Sequence, residues 1–132
     1  MRFRPLQRSF YEPSAQVVAP ALIGQWLVRI TSQGASGGPI VETEAYLQGD
    51  PACHAANGRT RRNGVMFGPP GHSYVYFIYG AHYCVNAVCQ PVGLAEAVLI
   101  RAIEPTLGIG LLQKNRPVLT QRELTNGPAK LW

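Results

Sequence analysis

Short apolar or alternating runs, separated by turns rich in glycine and proline, make up most of this chain. Runs of this length with β-branched and aromatic residues predict β-strands, at residues 25–31, 39–47, 74–79, 83–89 and 95–103. A glycine-rich segment at residues 33–38 is predicted to be the turn before the second strand. Gly80-Ala81-His82 is predicted to be the tip of a hairpin between the third and fourth strands.

Two short helices are predicted beside these strands, at residues 15–23 and 106–114. Ser14 is in the position to cap the first helix, and Pro20 either kinks that helix or marks its true first turn. Consecutive strands joined by turns favour an α+β fold. We therefore expect one domain over residues 1–132, with a curved, mainly antiparallel β-sheet and a few flanking helices.

The composition is that of a globular protein: 132 residues, 46% of them hydrophobic, are enough for one domain with a core. No apolar run reaches the roughly 18–20 residues of a membrane span, and the N-terminus lacks the pattern of a secretory signal. Cys53, Cys84 and Cys89 are an odd number without disulfide spacing, which indicates reduced thiols. We expect an intracellular protein, in the cytoplasm (bacterial nucleoid) or the nucleus, with no membrane partner.

A long loop is predicted at residues 48–72, and loops of this length in compact domains are usually functional or disordered. It contains Arg59, Arg61 and Arg62 in a stretch rich in glycine and asparagine, and residues 51–95 include no acidic side chain. The whole chain has a formal net charge of +5. A basic loop is typical of phosphate binding, although a solvated loop with no partner fits the pattern equally well.

The run at residues 40–46 has two glutamates on one side of a predicted strand. Glu42, Glu44 and Tyr46 alternate with apolar or small positions, so they point to the same side. Two such glutamates have Cα atoms about 6.5–7 Å apart, which suits the acid and base of a glycosidase. Alternatively, one glutamate is reactive and the other supports it by pairing with an arginine, or both lie on a solvent face.

Aromatic residues cluster around the same predicted strands. Tyr74 and Tyr76 share a strand face, Tyr79 is at the hairpin tip, and Tyr46 and His54 bracket the start of the long loop. Rings that converge beside arginines suggest stacking on nucleic-acid bases, worth ~1–3 kcal/mol per base. The alternative is that these are ordinary core and edge residues of a sheet. The cysteine and histidine spacings match no metal site, so no metal and no cofactor are expected.

Five motifs together resemble the alkyladenine (3-methyladenine) DNA glycosylase family. They occur in the family's order at residues 40–47 (IVETEAYL), 64–71, 74–86 (YVYFIYGAHYCVN), 98–105 (VLIRAIEP) and 122–131 (RELTNGPAKL). The resemblance runs from about residue 23 to the C-terminus. Members of that family continue for several tens of residues beyond this point, so the chain is expected to be a short or C-terminally truncated member.

The resemblance implies a role for each matched residue. Glu44 is similar to the family's catalytic glutamate, and Arg101 to the arginine that helps to position the attacking water. The family has aromatic rings that sandwich the flipped base, and the residues similar to them in this chain are Tyr46, His54 and Tyr76. Asn86 is similar to the asparagine that disfavours the exocyclic amine of guanine. Tyr79 is similar to the residue that fills the gap left in the base stack by the flipped base. The basic residues Arg59, Arg61 and Arg62 would then bind phosphates. Glu42 has no catalytic role in the family pattern.

The implied function is base-excision repair. A member of this family flips an alkylated or deaminated purine out of double-stranded DNA and hydrolyses its N-glycosidic bond. No lysine has an assigned role, so a monofunctional glycosylase acting as a monomer is expected. Two alternatives stay open: a catalytically silent nucleic-acid-binding β domain, and a sugar hydrolase that uses Glu42 and Glu44. Joint retention of Glu44, Arg101 and Asn86 favours the glycosylase, because binding alone needs no carboxylate.

Overall fold

The computed structural model describes residues 3–47, 64–78, 82–91 and 93–115. Two helices and five strands follow in the order α1 (Ala15–Leu22), β1 (Trp26–Thr31), β2 (Gly34–Tyr46), β3 (Ser73–Ile78), β4 (His82–Cys89), β5 (Glu96–Ile103) and α2 (Ile109–Asn115). Single 3-10 turns at Arg8–Tyr11 and Gly64–Phe67 precede α1 and β3. No helix in the described ranges is both long enough and apolar enough to span a membrane.

The strands form one five-stranded sheet in the order β1-β2-β5-β4-β3, and neighbouring strands are antiparallel. The predicted α+β class with a mainly antiparallel sheet is therefore confirmed. Strand β5 is at the centre, and six of its eight residues are buried. Burial of successive residues means that both faces of β5 are covered, which explains the nearly unbroken apolar sequence of this strand.

One face of the sheet packs against α1 to form the main core. The helix buries Ala15, Val18, Ala19 and Leu22, whose spacing produces a single apolar stripe. This stripe contacts apolar residues of the three central strands, which are Ile40 on β2, Val85 on β4, and Val98, Ile100 and Ile103 on β5. We call this side of the sheet the helix face.

The N-terminus of α1 differs in one detail from the sequence prediction. Ser14 occupies the N-cap position, but its side chain makes no capping hydrogen bond. Instead, the Glu96 carboxylate on β5 accepts a hydrogen bond from the Ala15 amide at 3.0 Å. A carboxylate satisfies the unpaired amide and complements the helix dipole, so the helix start is defined by a tertiary contact.

The glycine-rich segment at residues 33–38 was predicted to be a turn, and this prediction is wrong for most of it. Only Ser32 and Gln33 form the turn, and β2 already begins at Gly34. A side chain at Gly37 would collide with the Leu27 carbonyl, and one at Gly38 with the Glu104 carbonyl. Glycine is needed there because two backbones approach closely, which a strand tolerates.

The other predicted elements are shifted or shortened. Strands β3 and β4 form the expected hairpin, whose tip at residues 79–81 lies outside the described ranges. Helix α2 begins at Ile109, three residues after the predicted start at 106. The described end of the predicted long loop contains the 3-10 turn Gly64–Phe67, and residues 48–63 are not described.

Candidate active site

The sheet face opposite α1 contains the predicted site residues of β2, β4 and β5. Glu44 pairs with Leu99, and Leu99 pairs with Asn86. Residues that are directly paired across strands lie on the same face, so these three form one row across the sheet. Tyr46, Ala97 and Val88 form the next row in the same way. We call this side the site face.

Glu44 and Arg101 form an ion pair on the site face. Arg101 Nη1 donates a hydrogen bond to Glu44 Oε2 at 2.9 Å, and the two side chains are 44% (Glu44) and 41% (Arg101) exposed. Among the described residues, no other side chain bonds to the Glu44 carboxylate. One carboxylate oxygen is thus held by the guanidinium, and no described side chain bonds to the other.

A pair of β-bulges explains why Arg101 contacts Glu44. If the pairing of Thr43 with Ile100 continued regularly, Arg101 would lie opposite Glu42. Instead Glu42 pairs with Ala102, so Arg101 is an extra residue on β5, and Val41 is a compensating extra residue on β2. A bulge increases the local twist and changes the direction of a side chain.

The bulges make the two glutamates unequal. Glu44 has the arginine, whereas Glu42 is exposed and makes no ion pair with any residue in the described ranges. One alternative from the sequence was that the supporting glutamate, and not the reactive one, pairs with an arginine. In the structure the arginine pairs with Glu44. Nothing in the described part of the site uses both carboxylates together, as a sugar hydrolase would require.

Asn86 is a buried polar residue on the site face, with only 4% of its surface exposed. A buried amide needs hydrogen-bond partners, and in the described ranges no buried side-chain nitrogen or oxygen lacks one. Leu99, which is 3% exposed, separates Asn86 from Glu44. Leu99 has no role predicted from the sequence, although its spacing of two residues from Arg101 indicates the same strand face.

Tyr46 is half-buried and packs, together with Phe67, against a small apolar cluster of Val88, Ala95 and Ala97. Phe67 belongs to the 3-10 turn Gly64–Phe67, so this turn covers part of the site face. Its carbonyl accepts a hydrogen bond from the Gly93 amide at 2.8 Å, which ties the turn to the β4–β5 connection. Tyr46 is therefore both a packing residue and a ring beside Glu44, and Phe67 is a neighbour that sequence reasoning did not single out.

The remaining predicted site residues are only partly described. Position 76 lies in β3 and pairs with position 84 of β4, two residues along from position 74, which pairs with Asn86. The Tyr76 side chain is not among those described. Five further predictions fall on residues outside the described ranges, namely His54, Arg59, Arg61, Arg62 and Tyr79.

The ionisable groups with shifted pKa values lie away from Glu44. Burial raises the pKa of Cys89 to about 12, and the nearby Glu96 carboxylate adds to the effect. Burial also raises the pKa of Tyr11, with a smaller contribution from Cys89. Cys89 is a free, buried cysteine and stays a neutral thiol near pH 7, which makes it unreactive. In the described ranges no three His, Cys, Asp or Glu side chains cluster as metal ligands.

Comparison with known proteins identifies the class to which this sheet and site belong. The sequence model of the methylpurine-DNA glycosylase family matches residues 9–132. The chain belongs to this family, and the resemblance of its five motifs is confirmed.

Similar curated proteins extend beyond the chain. A protein of Carboxydothermus hydrogenoformans is 56% identical over 126 residues, which are 96% of this chain and 66% of that protein. One from Rhodopseudomonas palustris is 53% identical, and one from Methanoculleus marisnigri 50%, over 59% and 65% of their lengths. Each has the name "Putative 3-methyladenine DNA glycosylase". The chain thus spans about three fifths to two thirds of the length of these relatives.

Proposed function

We propose that this protein is a monofunctional DNA glycosylase that hydrolyses the N-glycosidic bond of alkylated or deaminated purines in double-stranded DNA. The observation that carries the proposal is the exposed Glu44–Arg101 pair at 2.9 Å, in which Glu44 lies in the same row of the sheet as the buried Asn86. Membership of the methylpurine-DNA glycosylase family and the names of the relatives support the same reaction. The substrates considered are 3-methyladenine, hypoxanthine and ethenoadenine.

Glu44 is the proposed catalytic base. Water attacks C1′ of the sugar, the bond from C1′ to the purine nitrogen breaks with its electrons on the purine, and Glu44 accepts a proton from the water. The sugar becomes positively charged in the transition state, which a nearby carboxylate stabilises. Arg101 holds one oxygen of Glu44 and leaves the other for the water. A cationic alkylated purine leaves as the neutral base, whereas a neutral purine such as hypoxanthine leaves as an anion and takes a proton from solvent water. The products are the free base and an abasic site.

In the proposed mechanism, the flipped base stacks on the rings of Tyr46, His54 and Tyr76. An alkylated purine is cationic, and a cation over an aromatic face gains ~0.5–2 kcal/mol. Tyr46 is suited to this role because, like Phe67, it is fixed by packing against the small apolar cluster of Val88, Ala95 and Ala97. A ring that is already ordered loses little entropy when the base binds.

Asn86 is the proposed discriminator against guanine. Its amide is buried and held by hydrogen bonds, so it cannot move away from an incoming 2-amino group without leaving its partners unpaired. Steric rejection by a fixed polar group is more selective than rejection by an adaptable apolar wall. Adenine-type and hypoxanthine bases lack this amino group and are accepted.

Contacts with DNA complete the proposal. Flipping a base costs a few kcal/mol, least for damaged or mispaired bases, and Tyr79 would offset part of it by filling the gap in the stack. Arg59, Arg61 and Arg62 would bind phosphates, in agreement with the net charge of +5. The protein would act as a monomer without a metal or an organic cofactor.

The test is single-turnover base release from duplexes that contain hypoxanthine or ethenoadenine. Glu44→Gln keeps an oxygen for Arg101 but cannot accept the proton, so release should slow by roughly 100-fold or more while duplex binding is retained. Glu42→Gln is a matched control, because it makes the same change two residues away on a carboxylate with no assigned role. Its release rate should equal that of the unaltered chain.

Three results would contradict parts of the proposal. Duplex binding without release of any lesion by the unaltered chain would favour the silent binding domain. Equal rates for Glu44→Gln and the unaltered chain would remove Glu44 from the mechanism. Equal losses in Glu42→Gln and Glu44→Gln would revive a two-carboxylate mechanism.

A further inference from the structure

Helix α1 is hydrogen-bonded to both strands that carry the ion pair of the site. At its N-terminus, the Ala15 amide donates to Glu96 on β5 at 3.0 Å. At its C-terminal turn, the Thr43 hydroxyl on β2 donates to the Ala19 carbonyl at 2.8 Å. Thr43 directly precedes Glu44, and Glu96 and Arg101 are on the same strand. The helix therefore connects β2 with β5 on the helix face, behind the Glu44–Arg101 pair.

The Ala19 carbonyl is available to Thr43 because of the way α1 ends. In a regular α-helix it would accept from the amide four residues later, which is that of Ile23. The Ile23 amide instead bonds to the Pro20 carbonyl at 3.3 Å, a tighter closure typical of a last turn. The freed carbonyl is satisfied by a side chain from β2.

Thr43 is also at the point where the β2–β5 ladder becomes irregular. It pairs with Ile100, and the next pair, Glu42 with Ala102, already skips Arg101. A bulge leaves a residue unpaired and disrupts the ladder, so strand hydrogen bonds alone fix this point less firmly. The Thr43 hydroxyl supplies an additional fixed bond there, on the face opposite to Glu44.

We propose that Thr43 is a positioning residue for Glu44, and that α1 acts as a brace holding β2 against β5 at the bulge. This rests on the proposed function of Glu44 as the base. Loss of the hydroxyl bond allows β2 to shift beside the bulge, so that the Glu44 carboxylate no longer meets Arg101 and the water in one geometry. Thr43 touches neither the DNA nor the reacting atoms, so its effect is on the rate of the chemical step.

The experiment compares Thr43→Val, which removes the hydroxyl at nearly constant shape, with Thr43→Ser, which keeps it. Thr31→Val is a matched control, because the Thr31 hydroxyl also bonds to a backbone carbonyl, that of Gly34, in the hairpin between β1 and β2. Single-turnover release and duplex dissociation constants are measured for all three. Thr43→Val should lower the release rate about tenfold, a typical effect of small misplacement. Its dissociation constant should stay within about twofold of that of the unaltered chain.

Rescue distinguishes positioning from general support of the fold. Thr43→Ser should release bases at nearly the unaltered rate, and so should Thr31→Val. A Thr43→Val rate within about twofold of the unaltered chain would overturn the proposal, because misplacement of a catalytic group changes rates by more. Equal losses in Thr43→Val and Thr31→Val would overturn it as well, since the effect would then be loss of stability.

Backbone hydrogen exchange separates failure of this proposal from failure of the proposed function. Thr43→Val should speed exchange of the amides at residues 43–46, while those at residues 27–30 are unchanged. Thr31→Val should leave residues 43–46 unchanged. If the unaltered chain releases no base, the glycosylase proposal fails, and faster exchange at residues 43–46 alone still supports the brace. Unchanged exchange there in Thr43→Val overturns the brace whatever the activity.

Discussion

Glu44 and Arg101 form an ion pair that contributes little to stability, because both side chains are more than two fifths exposed. Such surface pairs are worth at most about 1 kcal/mol. The pair matters for geometry: it fixes one carboxylate oxygen and leaves the other open on the site face. If DNA covers this face and removes water, as the proposed function requires, the same interaction becomes stronger, because the local dielectric constant falls.

Asn86 allows a test of selectivity at the scale of one side chain. Asn86→Ala should release guanine from duplex DNA measurably faster, because the space next to Leu99 can then admit a 2-amino group. The ratio of hypoxanthine to guanine release should fall by about tenfold or more. Release from duplexes that differ only in the target base measures this ratio. An unchanged ratio in a variant that still releases hypoxanthine would argue against the assignment of Asn86.

The stability of Asn86→Ala must be measured beside its activity. The partners of the buried amide lose a hydrogen bond, which costs about 1–3 kcal/mol of unfolding free energy. A chain that remains folded at the assay temperature, as judged by a cooperative thermal transition, permits the comparison. The ratio between two substrates is unaffected by the fraction of folded protein, so it reports selectivity alone.

At the scale of elements, α1 shows how one helix presents different faces to the core and to solvent. Val18 is 1% exposed within the core, whereas its neighbour Val17 is 58% exposed. Val18→Ala should lower the unfolding free energy by about 2 kcal/mol, through lost burial and a residual cavity. Val17→Ala should be neutral or slightly stabilising, because alanine is the better helix former. Denaturant titration of both variants tests this, and equal effects would mean that α1 is not docked as described.

The same elements show how far the sequence predicts this fold. Short apolar or alternating runs predicted all five strands, and Ala15, Val18, Ala19 and Leu22, which form the apolar stripe of α1, lie within a predicted helix. The glycines of β2 were misjudged, because glycine permits both a turn and the close approach of two backbones. Whether such a glycine forms a turn or permits close approach depends on the strands that pair with β2. Those strands cannot be identified from the local sequence.

The sequence predicts which side chains of β2 share a strand face, and it does not predict how they pair with side chains of other strands. Alternation put Glu42, Glu44 and Tyr46 on one side of a strand but could not say which glutamate meets an arginine. Two single-residue bulges make that choice, and they depend on the register between β2 and β5. Thr43 was overlooked for the same reason, because its hydroxyl acts on a helix that is 24 residues away in the sequence.

At the scale of the whole molecule, the two faces of the sheet contain different groups of residues. The helix face contains the main core, and the site face contains the ion pair, the buried amide and the smaller apolar cluster. Strand β5 is the only described strand paired with both β2 and β4, so it joins the rows that cross the site. A change in the core that displaces β5 therefore affects every one of these rows.

The stability of the whole molecule should fall at alkaline pH because of Cys89. Its pKa in the folded chain is about 12, above an ordinary value of 9.0. Between these values the unfolded chain loses its thiol proton and the folded chain keeps it, so ionisation favours unfolding. The contribution of the neutral thiol is complete below pH 9.0 and is lost as the pH rises toward 12.

Denaturant titrations at a series of alkaline pH values measure this effect. Cys89→Ala should show a shallower decline of unfolding free energy than the unaltered chain. Tyr11→Phe is an informative companion, because burial also raises the pKa of Tyr11 and acts in the same direction above pH 10.0. Identical slopes for Cys89→Ala and the unaltered chain would show that the thiol ionises equally in both states.

The ion pair of the site joins residues 57 positions apart in the sequence. The hairpins β1–β2 and β3–β4 are closed by short connections and form early, whereas the pairing of β2 with β5 must close a long stretch of chain and is slower. In an intermediate that contains only these two hairpins, β5 is not paired with β2, so Glu44 and Arg101 are not in contact. Under the proposed function, catalytic competence would then arise only with this long-range pairing of β2 with β5.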